Sequence, residues 1–418
     1  MLQATIRLLF AALFGFLFLS AATAEGLGLS GARVLAFTSL AGALVTVAGL
    51  GVPALSRHGR DLAIACAALL LPSLPLQIDR PFDPLDWKIL LVLVVLAAAP
   101  DIRQLIQPAE LVVLFRRLLS FYVVATALWA LVVDPTVLLR GDGRVLRLDV
   151  TGSLVGHASL CLLYLLLAGE RLLAEPRPAR RAWWAGTAAM ALVMLFLAAT
   201  RTTLLVFLFL LLFHLLTART PGSVRAALAA GAAFAVVFAL FTLFVSDALW
   251  LRLVGDGEDP TSGRAHSLAF WLAQAQTHPL GLGMGAVRQI LADGRPAIGG
   301  GRLLEWPHNE FVRFWVEGGL LGLAFAVLFI GGLVARGLGF ARRTRDPQQR
   351  LLALALAADL LGRSLLQNYF NDIYHATTLV AVLAVLTVRS PPASAALARP
   401  EPNRPDARAT LAEGGPSA

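Results

Sequence analysis

The stretch WPHNEFVRFWVEGGLLGLAFAVLFIGGL (Trp306–Leu333) ends as a membrane-spanning helix and begins as something else. It turns apolar after Glu317, and the run predicted to span, 309–335, is long enough to cross a hydrocarbon core of about 30 Å. Its first turns instead carry His308, Asn309, Glu310, Arg313 and Glu317. Ionisable groups at the mouth of a membrane helix are costly, so they mark a site or a compensated structural pair. Pro307 suits a helix start, which puts His308 ahead of or within the first turn. Free N–H groups and the positive dipole end there favour an anion nearby. Glu310, Arg313 and Glu317 fall on one helical face and can pair with one another. Gly318 and Gly322 have the spacing of close helix packing.

The rest of the chain agrees with a membrane reading. Of its 418 residues, 58% are hydrophobic and only 15% charged, against about 25% in an ordinary soluble protein. Apolar runs predict twelve spans, at 6–24, 33–55, 61–78, 84–99, 111–133, 151–168, 182–199, 202–217, 226–245, 309–335, 351–367 and 374–388. The short alternating segments of a membrane β-barrel are missing from the pattern. The expected fold is therefore an all-α integral membrane protein, with a polytopic membrane domain over 1–389 and a disordered cytoplasmic tail over 390–418 rich in Pro, Ala and Arg. The start of the chain, with Arg7, an apolar run and Ala22-Thr23-Ala24, is compatible with either a cleaved signal peptide or a first span.

Net charge is +9, and Lys88 is the only lysine. In a soluble chain this balance would suggest nucleic acid; here arginine placement follows topology instead. Arg57 and Arg60, then Arg171, Arg177, Arg180 and Arg181, then Arg336, Arg342, Arg343, Arg345 and Arg350 all fall on the side of the N-terminus. That side, with both termini, is expected to be cytoplasmic. Cys66 and Cys161 lie in apolar spans and read as small hydrophobes. No compact set of metal ligands is visible, so no metal or other cofactor is expected.

Two non-cytoplasmic segments stand out, Asp134–Gly152 and the long loop 246–307 between spans 9 and 10. The long loop keeps Arg252, Arg264, Arg288, Arg295 and Arg302 against the topological bias. Within it, Ser262-Gly263-Arg264 reads as a turn opening an amphipathic helix through Trp271 to Gln276, ended by His278-Pro279. Gly281, Gly283 and Gly285 then give a permissive backbone. The run GLGMGA lacks the preceding strand of a dinucleotide site, and Asp256, Glu258 and Asp259 lack the spacing of a calcium loop. Between spans 7 and 8, Arg201 sits in AATRTT at an external hairpin tip, either snorkelling to headgroups or holding an anionic ligand.

The order of these elements resembles the O-antigen ligase and polysaccharide polymerase superfamily: Arg201 between two spans, SGR and HPLGLGMG in a long external loop, then HNEF and EGGLLGL. The motifs cover roughly Gly152–Gly332. The resemblance implies a glycosyltransferase of GT-C-like architecture in the bacterial inner membrane, its site facing the periplasm. The implied donor is a glycan on undecaprenyl diphosphate. By motif the catalytic residues are His308, Arg264 and Arg201, with Asn309, Ser262, Gly263, His278 and Glu317 as expected substrate contacts. Where relatives often carry asparagine, this chain has His157.

The two arginines would match diphosphate oxygens, and His308 would activate the acceptor hydroxyl for inverting, metal-independent transfer. Lipid A–core oligosaccharide is the expected acceptor, with membrane lipids as surroundings and no nucleic acid partner. The alternatives are a polymerase joining lipid-linked repeat units, then a protein glycosyltransferase, and, in another class, a solute transporter, which would place its ionisable residues nearer the bilayer midplane.

Overall fold

The computed structural model describes residues 106–133, 154–198, 264–294, 296–298, 302–371 and 373–388, with scattered positions between 89 and 103 and between 200 and 239. The first three expected spans, Asp134–Gly152, the acidic run 256–259 and the tail lie outside the described residues, and twelve remains the sequence-based count. Among the described residues the structure is helical apart from one two-stranded ribbon. Three helices among the described residues are long and apolar enough to cross a membrane: Pro108–Val132, Val155–Ala174 and Glu310–Arg343.

The helices are α1 (Pro108–Leu128), extended by a π-helical turn Trp129–Val133; α2 (Leu154–Ala174); α3 (Pro178–Leu197); α4 (Arg264–Thr277); α5 (Ala286–Ala292); α6 (Glu310–Arg343); α7 (Pro347–Leu366); and α8 (Ile373–Thr387). Strands β1 (Ala297–Ile298) and β2 (Arg302–Leu303) pair antiparallel between α5 and α6. Short connections make sequential neighbours pack: α2 against α3, and α6 against α7. Pro178 and Pro347 sit in the first turns of α3 and α7, where a missing N–H costs nothing. Asp346 caps α7 by accepting from Gln348 and Gln349 N–H groups.

The bundle of α1, α2, α6, α7 and α8 buries Phe115, Tyr122, Tyr164, Phe314, Phe325 and Phe370. Phe121, Leu128, Leu131, Val132, Leu320, Val327 and Leu328 point outward, as a lipid-facing surface requires. α7 is less apolar than its neighbours because it carries Asp359 and Arg363 inward. Their side chains are 3.7 Å apart. Ser159 of α2 donates to Asp359 at 2.6 Å, and the Arg363 guanidinium lies over the Tyr369 ring. This polar layer is interior, so the outer face of α7 stays compatible with lipid.

One element departs from the expected form. The helix opened by the HNEF motif runs from Glu310 to Arg343 but breaks at Gly319, whose backbone has φ 63 and ψ −153. Phe314 and Phe325 meet across the break with ring centroids 5.2 Å apart. A Cβ at Gly322 would collide with the Phe314 carbonyl, whereas one at Gly318 would meet nothing. The close approach expected of Gly318 and Gly322 therefore falls on Gly319 and Gly322.

Candidate functional site

The site is built around the chain that enters α6. Along α4, Ser267, Trp271 and Ala275 are buried, an i, i+4, i+8 stripe that seats the helix on Val287, Leu304, Val312 and Val316. The stripe also carries polar fasteners. Trp271 Nε1 donates to the Glu305 carbonyl at 2.7 Å, and Glu305 N–H donates to Ser267 Oγ at 3.1 Å. Both ends of the Glu305 peptide environment are thus fixed by α4. Arg264, one turn before Ser267, is presented at the same end of that helix.

Three residues later the backbone turns left-handed at His308, with φ 48. A non-glycine residue in that region is uncommon and has to be held by its surroundings. His308 Nε2 lies 3.5 Å from Glu305 Oε2; the two side chains are 22% and 45% exposed. Nδ1 is buried without a hydrogen-bond partner. Burial, and then the positive charge of Arg264, hold the imidazole below its ordinary histidine value, and Glu305 offsets part of that depression. The electrostatic influence of Arg264 brings together two residues that lie far apart in sequence. At neutral pH the ring is accordingly a neutral base beside a carboxylate and a guanidinium.

The residues after His308 serve to hold it. Asn309 caps α6 by accepting from Val312 N–H at 3.1 Å, while its amide donates to the Leu365 carbonyl at the end of α7. Glu310 is fully buried; it accepts from Phe370 N–H at 2.7 Å and pairs with Arg313 at 3.4 Å. Arg313 also reaches Asn371 Oδ1 at 3.2 Å and Glu317 Oε2 at 3.3 Å. Both Arg313 and Glu317 are buried. The pairing expected from their spacing is present, and it is a larger network anchored to the turn between α7 and α8.

The glycine-rich segment after α4 docks into the break of α6. Leu282 N–H donates to the Val316 carbonyl at 2.8 Å, Gly283 N–H to the Glu317 carbonyl at 2.9 Å, and Leu320 N–H to the Pro279 carbonyl at 2.9 Å. Backbone groups freed by the break are thereby satisfied, which a helix at the membrane requires. The fit leaves no room for side chains. A Cβ at Gly281, with φ 87, would strike the Glu317 and Gly319 backbone, and one at Gly319 would strike Pro279 and Leu280. His278 finishes α4, with Nδ1 3.0 Å from the Gln274 carbonyl, so its observed contact is with the helix end.

Of the sequence-derived site residues, Arg264, His308, Asn309, His278 and Glu317 are described, whereas Arg201, Ser262 and Gly263 lie outside the described residues. Next to Arg201, Thr200 and Thr203 are buried, and their hydroxyls lack hydrogen-bond partners among the described residues. His157 is packed inside the bundle, 2.5 Å from the Tyr122 hydroxyl and 3.7 Å from Cys161 Sγ. Glu305, Ser267, Trp271 and Asn371 were not legible as site residues. An acid three positions before a histidine was the one sequence signal available for Glu305. No group of three or more metal-binding side chains occurs among the described residues.

The fold and these contacts define a helical integral membrane protein that presents a histidine, a carboxylate and an arginine where a helix begins. Residues 186–327 match the family model described as O-antigen ligase, and this segment of the chain is an O-antigen ligase family domain. The match begins within α3 and takes in α4, α5, the strand ribbon, His308 and the break at Gly319. A domain of this family implies a glycan-transferring enzyme of the ligase or polymerase kind, with lipid-linked glycan substrates. No curated protein is detectably similar to the chain.

Proposed function

We propose that the protein transfers a glycan from undecaprenyl diphosphate to lipid A–core oligosaccharide at the periplasmic face of the bacterial inner membrane. The observation that carries this reading is the neutral, left-handed His308 beside Glu305 and Arg264. Glu305 favours the tautomer with its proton on Nε2, which leaves the Nδ1 lone pair as the base. An acceptor sugar hydroxyl gives its proton to Nδ1 while its oxygen attacks the anomeric carbon. The bond from that carbon to the diphosphate oxygen breaks on the opposite face, and its electron pair leaves with the diphosphate. Configuration at the anomeric carbon inverts. Arg264 and Arg201 stabilise the charge that develops on the leaving group, and Glu305 stabilises the imidazolium that forms. Nδ1 is buried, so acceptor binding has to uncover it.

Purified protein reconstituted with a lipid-linked glycan and lipid A–core tests the reading. Wild type should yield core carrying the full glycan, and His308→Ala should yield none while folding normally. Lengthened lipid-linked glycan with unmodified core would instead identify a polymerase. Wild-type turnover by His308→Ala would remove the base from the mechanism. Arg264→Lys should be impaired yet exceed Arg264→Ala, because a point charge keeps attraction and loses the two-pronged fork.

A further inference from the structure

The two ends of α6 and α7 differ in chemistry. Asn309 bonds to Leu365 at the end that carries His308, and Gln348, in the first turn of α7, marks the opposite end. There α1 and α2 converge on Gln348, and α3 meets Arg116 of α1. Arg116 of α1 is 6% exposed; its Nη1 donates to Gln348 Oε1 at 2.6 Å, and its guanidinium lies 5.6 Å from the Trp184 ring centroid. The Gln348 amide in turn donates to Glu170. Arg171 of α2 stands near enough to act on Arg116 electrostatically.

The charges at this end do not balance. Arg116 Nε and Arg171 Nε are both buried without hydrogen-bond partners, and among the described residues neither guanidinium has a carboxylate within ion-pair distance. Glu170 bonds to Gln348 and acts on Arg116 electrostatically, though less than Arg171 does, while Asp346 accepts from the capping N–H groups of α7 and the Gln349 amide. An arginine at a membrane surface ordinarily extends its head to water. Arg116 is instead folded beneath Trp184, beside a second guanidinium, where like charges repel under reduced dielectric screening. Exposed Arg117, Arg177, Arg180, Arg181, Arg342 and Arg343 add positive potential around the same end. A phosphate seated between Arg116 and Arg171 would supply both the missing acceptor oxygens and the missing negative charge.

We propose that Arg116 and Arg171, with Gln348 as their neutral partner, form a binding site for the phosphate of an anionic membrane lipid, at the end of the bundle remote from His308. Such a lipid clamps α1, α2, α3 and α7 together, and basic pockets between helices are suited to anionic headgroups. The test measures the apparent Tm of the full chain in phosphatidylcholine vesicles alone, with cardiolipin included, or with inorganic phosphate added. Cardiolipin should raise the wild-type value by about 3 °C, the scale on which a saturating ligand acts; inorganic phosphate should not. Arg116→Gln and Arg171→Gln should lose that rise, and Arg180→Gln, at an exposed position, should keep it. Equal rises in wild type and both variants, or none in wild type, would overturn the site. An equal rise with inorganic phosphate, lost in both variants, would keep the phosphate site and reject the lipid as its source. Should Arg116→Gln fail to fold, the half-buried Arg171 decides the matter alone.

Discussion

Gly318 and Gly319 are neighbours with opposite expected sensitivities, and changing each to alanine isolates the docking of the glycine loop. At Gly319 an L side chain would have to adopt φ 63 and ψ −153, a region essentially reserved for glycine, at a cost of about 1–3 kcal/mol. Its Cβ would also occupy the space of the Pro279 carbonyl and the Leu280 backbone. Relief requires the loop to back away, which breaks the bonds from Leu282, Gly283 and Leu320 N–H, each worth roughly 0.5–1.5 kcal/mol net. The total is on the order of 3–7 kcal/mol, a large share of what keeps a domain folded. Gly318 has open space around its would-be Cβ, so Gly318→Ala should be neutral or gain up to about 1 kcal/mol, the helix-propensity difference.

Hydrogen exchange in reconstituted membranes reads this directly. In Gly319→Ala, peptides covering 279–285 and 316–322 should lose protection by roughly 100-fold, while α2 keeps its own, as expected of local opening. Transfer should fall at least ~10-fold, because misplacement of the chain entering α6 disturbs a positioned reaction. Gly281→Ala should reproduce the effect from the loop side. Wild-type protection in Gly319→Ala, or equal loss in Gly318→Ala, would refute the docking argument.

Further outcomes follow from the same geometry. Because His308 must be neutral to act and is held below its ordinary value, activity should persist as pH falls through the ordinary histidine range and fail only below it. Glu305→Gln removes the influence that opposes the depression, so the acidic limb should move to still lower pH; a limb that moves upward would contradict the assignment. Glu317→Gln should lower stability by about 1–3 kcal/mol, since Arg313 retains Glu310 and Asn371, with turnover per folded molecule unchanged; a stable but inactive variant would place Glu317 in the site. Turnover should survive EDTA, and strict dependence on added Mg²⁺ or Mn²⁺ would exclude the metal-independent mechanism.

Periodicity carried the parts of this structure that depend on local sequence. The apolar runs placed α1, α2, α3, α6, α7 and α8 to within several residues, and the turn at Arg264 with the stop at His278-Pro279 bracketed α4 closely. Motif spacing singled out His308 and Arg264 as chemical groups. The fasteners around them were not legible, because they are backbone contacts between segments far apart in the chain. Nothing near Trp271 indicates that its indole will meet the Glu305 carbonyl, and nothing near Glu310 indicates Phe370 N–H as its partner. The break at Gly319 is likewise illegible, since a helix break satisfied from elsewhere leaves the local pattern of apolar residues intact.

That break explains why three ionisable residues can stand at the start of a membrane helix. After Gly319 the run Leu320–Arg343 is still long enough for a crossing of about 20 residues, so Glu310–Gly318 is released from spanning duty. A continuous helix would have aimed Glu310, Arg313 and Glu317 along one spanning face, where each charge needs protein cover. The bend instead folds their segment against Phe325 and lays the loop Pro279–Gly283 over its end. Two carboxylates, one guanidinium, the Phe370 N–H and the Asn371 amide oxygen then close on one another. Removing either carboxylate leaves the other to compensate Arg313, so the network can hold the helix start rigidly without taking part in chemistry. His308, just outside it in a backbone conformation that this rigidity sustains, keeps an unengaged basic nitrogen.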